Sequence, residues 1–152
     1  MSIIKPYNPW ETIDPQETVE KLGLDQEFQL IQWPIKLWKV PTVSPYYHHA
    51  HLLVAADCCG FAYGKLHEKM SIGRVPLICC PETDFDIVSK LSEIIQFNDI
   101  KSITVIRMEA ACCADLTDMV MRAIKQARKT IPMQITTVFI DCEVMDEDAS
   151  AH

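Results

Sequence analysis

Seven cysteines in 152 residues are the part of this sequence best equipped for chemistry. Six fall in adjacent pairs, Cys58-Cys59, Cys79-Cys80 and Cys112-Cys113, and Cys142 stands alone. Neighbouring cysteines seldom bond to each other, because the peptide between them must distort to close so small a ring. Thiolates are soft ligands for zinc or iron–sulfur clusters and, without metal, nucleophiles for sulfur transfer or disulfide exchange. Neither the close C-x₂₋₄-C zinc knuckle nor the sequential ferredoxin spacing occurs. Sulfurs so scattered must be gathered by a fold.

The elements that would gather them alternate. Leu52–Ala56, Val75–Ile78, Ile103–Met108 and Thr136–Ile140 are continuous apolar runs of the kind buried on both faces of a sheet. Between them, Phe61–Met70, Asp84–Phe97 and Asp115–Lys129 read as helices, the second with Phe85, Val88, Leu91, Ile94 and Ile95 on its apolar face. Ile35–Val40, bracketed by Pro34 and Pro41, reads as an edge strand. The alternation predicts an α/β fold, a Rossmann-like three-layer sandwich with a mostly parallel sheet of four to five strands. Residues 1–31 form a lead-in with a short helix from Asp14 to Leu22. Residues 32–143 form the cysteine-rich domain, and 144–152 an acidic tail expected to fray.

On this reading every cysteine follows a strand, so all seven lie along the carboxyl edge of the sheet, where open α/β sheets bind ligands. Three of the four positions precede a helix, whose dipole is expected to lower thiol pKa. Roughly half of the seven are expected to pack as small hydrophobes instead. His67 is expected to be an exposed helix residue in preference to a ligand, and His48, His49 and His51 a surface loop. Arg107 and Glu109 would form an ion pair, either beside the cysteines, where Arg107 could offset a cluster's negative charge, or as a structural pair at the sheet edge. The three tryptophans read as packing or interface residues.

With 14 Lys+Arg against 21 Asp+Glu, the net charge of −7 disfavours nucleic acid and anionic lipid as partners. No apolar run approaches the roughly 20 residues needed to cross a bilayer. The N-terminus has no apolar signal core, so a cytoplasmic location is expected. P-loop, G-x-G-x-x-G and G-x-S-x-G motifs are absent.

Several stretches carry a family resemblance: Gln32-Trp33-Pro34, Ala55-Ala56-Asp57-Cys58, Phe61-Ala62-Tyr63, His67-Glu68, Cys80-Pro81, Asn98–Val105, Arg107-Met108-Glu109 and Cys112-Cys113. Together they resemble the C-terminal α/β region of ferredoxin-type iron–sulfur proteins of anaerobes. The resemblance covers residues 32–143 and implies Cys58, Cys80, Cys112 and Cys113 as ligands of an iron–sulfur cluster, 4Fe-4S type or larger. Cys59, Cys79 and Cys142 are additional metal candidates, though the family pattern has other residues there, glycine-like at 79 and 142. Ala114-Asp115 stands in place of a small glycine pair. The family's ferredoxin module has no counterpart here, which implies electron exchange with a redox partner protein. A homodimer through the Ile35–Val40 edge is the expected assembly. The alternatives are a metal-free thiol or persulfide sulfur-transfer protein, and a zinc-binding module.

Overall fold

The computed structural model describes residues 32–149. The helix expected over 14–22 lies outside them, as do residues 150–152.

Four parallel strands form, β1 Ala50–Ala56, β2 Val75–Cys79, β3 Ile100–Met108 and β4 Met133–Val138, each overlapping an expected run, with β3 starting three residues early and β4 lying earlier than Thr136–Ile140. A fifth, β5 Val144–Ala149, runs antiparallel to β4, giving the order β2-β1-β3-β4-β5. The sheet is therefore mostly parallel and the architecture α/β, as the alternating pattern predicted. Leu52, Leu53, Val54, Ala55 and Ala56 are all buried, so β1 is covered on both faces.

Helices α2 Ile87–Phe97 and α3 Ala114–Gln126 pack against each other on one face. Right-handed crossovers require this. The chain steps from β1 to β2 in one direction and from β2 to β3 and β3 to β4 in the other, so residues 57–74 must cross the opposite face. Leu91, Ile94 and Ile95 of α2 and Leu116, Val120 and Ala123 of α3 are fully buried in the core.

Four expectations are corrected. Phe61–Met70 is not one helix. A short α1, Cys59–Ala62, stops at Tyr63, which turns extended (φ −115°, ψ 97°), and a single π-helical turn forms at His67–Ser71. Gly64 follows that break and supplies no side chain to hold a helix together. Phe85 lies outside α2, which begins at Ile87 after Asp86 adopts a left-handed conformation (φ 49°).

Ile35–Val40 is not a strand. Only Lys36 bridges to Ile78, after which Leu37 and Val40 turn inward and are buried. The segment caps the outer edge of β2 with two hydrogen bonds, Ile78 N–H to Ile35 O and Leu37 N–H to Ile78 O. The strand expected to carry a dimer interface is thus absent. Finally, Val144–Ala149 does not fray. It pairs with β4 along its length, and Thr136 donates to Asp146 Oδ1 at 2.6 Å.

Among the described residues no helix is long and apolar enough to cross a membrane.

Candidate functional site

The strand register builds the site. Ala56 lies opposite Cys79, Ala55 opposite Ile106, and Met108 opposite Val138, so β1 to β4 end nearly level. The connection from β1 leaves toward β2 and that from β3 toward β4. A crevice therefore opens between the ends of β1 and β3, the switch point where open α/β sheets bind ligands. Cys58-Cys59 follow β1 and Cys112-Cys113 follow β3, so four cysteines roughly fifty residues apart in sequence flank this crevice.

Each pair divides between core and solvent. Cys59, Cys79 and Cys113 are buried, Cys58 and Cys112 are exposed, and Cys80 is half-buried. At Cys79-Cys80 strand alternation explains it, whereas Cys58-Cys59 and Cys112-Cys113 lie in helical turns, where successive side chains point roughly 100° apart and only one of each pair faces the core. The expectation that about half the cysteines pack as small hydrophobes matches these three.

The expected fall in thiol pKa is not found at the buried members. Burial, then the neighbouring Cys113, pushes the Cys59 thiol up to about 12 against an opposing backbone hydrogen bond with Ala56. Burial likewise raises Cys113, with Cys112 and Cys58 adding to the effect and a backbone hydrogen bond with Met108 opposing it. Cys112 also hydrogen-bonds Cys113. These mutual influences place Cys58, Cys59, Cys112 and Cys113 in one neighbourhood. At Cys59 the helix dipole has little to offer, because α1 is a single turn, and at Cys113, which caps the thirteen-residue α3, burial outweighs it.

Beside them, at the ends of β1 and β2, lies an ion cluster that no motif announces. Lys36 Nζ donates to Asp57 Oδ2 at 2.6 Å and lies 3.2 Å from Asp84 Oδ2. Partial burial would lower the Lys36 pKa, but its bonds to the two carboxylates outweigh this and hold it above the ordinary value. Asp84 Oδ2 also accepts from the Cys80 N–H at 2.7 Å, fixing the turn that carries Cys80. Asp57 N–H donates to Cys79 O, which locks β1's exit to β2. Asp57 Oδ1 is buried without a hydrogen-bond partner among the described residues. Cys79, beneath this cluster, is pushed up to about 12 by burial and then by Asp84 and Asp57, with Lys36 opposing. Lys36 lies on a segment read as an edge strand, so its partners were invisible without the tertiary fold.

Arg107 and Glu109 do not pair. Arg107 Nε donates to Thr137 Oγ1 and its Nη1 to Ala114 O, tying the residue after Cys113 back to β3 and β4. Glu109 Oε1 accepts from Ile140 N–H at 2.9 Å, joining the turns after β3 and β4. Cys142 sits exposed in the β4–β5 turn with a left-handed backbone (φ 70°), and no helix follows it. His67 lies exposed in the π turn. The histidine loop stands at the opposite edge, where His49 meets Asp99 at 2.7 Å and His51 meets Ser102 Oγ at 2.6 Å.

Among the described residues no three His, Cys, Asp or Glu side chains form a ready-made metal-binding group. The donor chemistry nonetheless suits a soft metal, since Cys58 and Cys112 are exposed beside the crevice, Cys80 is half-buried on the same edge and buried Cys113 adjoins Cys112.

A family model described as a Rossmann-like domain matches residues 44–151. No curated protein matches the chain. No solved structure matches it either.

Proposed function

The chain belongs to the Rossmann-like domain family, and from that premise we propose that its switch-point crevice holds an iron–sulfur cluster used in electron transfer or redox chemistry. The observation that carries this reading is the meeting of Cys58, Cys59, Cys112 and Cys113 at one crevice from two distant parts of the sequence. The resemblance to ferredoxin-type iron–sulfur proteins agrees with it. Cys58, Cys80, Cys112 and Cys113 are the favoured ligands. A bound cluster would supply one-electron chemistry.

The chain's own residues have definite parts in this reading. Cys58 and Cys112 are the donors open to solvent. Cys113 sits behind them in an apolar setting that raises its thiol pKa, and as a ligand it would have to give up that proton. Arg107 anchors the end of the Cys112-Cys113 turn through Ala114 O. Lys36 and Asp84 fix the turn bearing Cys80.

A second reading has one observation in its favour. Cys112 hydrogen-bonds Cys113, which suits a metal-free dithiol.

Protein purified without oxygen, with iron, zinc and acid-labile sulfide counted per chain, separates the readings. Iron and sulfide in matching amounts, both lost on exposure to air, support the cluster. Zinc without sulfide makes this a zinc module. Absence of metal after anaerobic reconstitution, with rapid alkylation of Cys112, leaves the thiol reading. Cys113→Ser is expected to lose or convert the cluster, and an unchanged metal content and visible spectrum would overturn that ligand's assignment.

A further inference from the structure

We propose that the apolar residues bordering the cysteine rim, Phe61, Phe85 and Ile140, form a docking surface for a protein partner whose contact face carries lysine and arginine around an apolar centre. This names the partner of the proposed redox site and rests on that reading.

Phe61 is 97% exposed, Phe85 78% and Ile140 77%. One exposed apolar side chain is ordinary; three on one edge, around the accessible thiols, are not. Each lies in the stretch leaving a different strand. Phe61 is in α1, its N–H bonded to Cys58 O at 3.1 Å. Phe85 lies between Asp84 and Asp86 after β2, and Ile140 is tied to Glu109 after β4. No side chain of the described core requires them where they are.

Charge selects the occupant. The stretches leaving β1 to β4, residues 57–63, 80–86, 109–115 and 139–143, contain eight carboxylates and no lysine or arginine. Three cations come close to these stretches, Lys36 bound to Asp57 and Asp84, Arg107 bound to Thr137 and Ala114, and Lys65 just beyond the first stretch, so the eight carboxylates keep the edge net acidic. Such a field repels phosphate backbones and anionic lipid, and it repels a second copy of the same face across a two-fold axis. It attracts a basic protein face and steers its approach. Three apolar side chains inside an acidic border also match the anatomy of small, transient interfaces.

The test uses the full chain in two forms, thiol-capped and anaerobically loaded. The probes are a helical peptide with leucines on one face and lysines on the other, and its counterpart with glutamate for lysine. Fluorescence anisotropy is expected to show the lysine peptide binding at least tenfold tighter than the glutamate peptide, with affinity falling as salt rises. Phe61→Ser and Phe85→Ser are each expected to weaken binding about fivefold to tenfold, whereas Phe97→Ser, at the opposite edge, leaves it unchanged. Equal binding of the two peptides, indifference to Phe61 and Phe85, self-association lost in those variants, or binding to anionic vesicles would overturn the proposal. Peptide binding by a chain that takes up no iron or sulfide would retain the surface and remove the redox centre. A loaded chain that ignores both peptides would do the reverse.

Discussion

Cys142 holds φ at 70°, a left-handed conformation that costs a residue with a side chain about 1–2 kcal/mol and glycine almost nothing. Cys142→Gly is therefore expected to raise stability by up to about 1 kcal/mol, read as a higher urea midpoint at unchanged slope. The buried thiols make a second prediction. Cys59 and Cys79 titrate near 12 in the folded chain, above the ordinary thiol value of 9.0. A raised folded pKa gives stability that is complete below the unfolded value and lost as pH climbs toward the folded one. The reduced, metal-free protein is expected to lose thermal stability between about pH 9 and 12, and Cys79→Ala to flatten that loss. Which cysteines matter was legible in the sequence through their adjacency. Which member of each pair turns inward was not, because that depends on where each strand ends, and β2 runs through Cys79 itself.

Lys36 shows how one side chain can hold an element that has no ladder of its own. Residues 35–37 meet β2 through two backbone bonds, and the ion cluster with Asp57 and Asp84 adds to the anchorage that buried Leu37 supplies. Lys36→Met leaves two carboxylates facing each other and is expected to cost about 1 kcal/mol, modest because the site is partly solvated. Faster alkylation of Cys79 in that variant would show that the cap had loosened. For α2, Leu91→Ala is expected to cost about 2–5 kcal/mol, since Leu91 is fully enclosed and its loss opens a cavity; a smaller change would mean that the helix collapses onto the sheet. The helices α2 and α3 and all four parallel strands were readable from apolar periodicity. The segment from Phe61 to Met70 was not, because its one-turn helix and π turn are fixed by tertiary packing of Cys59 and Leu66 and lack a repeating face. Ile35–Val40 misled for a similar reason: a short apolar stretch between prolines fits an edge strand and a buried cap equally well.

At the scale of the whole molecule, the carboxyl edge of the sheet gathers thiols, carboxylates and exposed apolar side chains, while the histidine loop occupies the other end. The α/β order followed from the alternation of elements, whereas the crevice between β1 and β3 depends on the strand order β2-β1-β3-β4, which the alternation leaves open. The acidic terminal stretch was the large miss. Its composition resembles a solvated tail, and only the neighbouring edge of β4 gives it a ladder to join. That strand also governs how the protein behaves when concentrated. β5 ends the sheet with Asp146-Glu147-Asp148, so a second molecule adding itself strand to strand would set acid against acid. Supramolecular growth along that edge is then throttled by ionic strength, because salt screens the repulsion without altering the fold. Light scattering at about 0.05 M and 0.5 M salt is expected to show larger particles at the higher value. In the double variant Glu147→Gln and Asp148→Asn, the larger particles should be present at both.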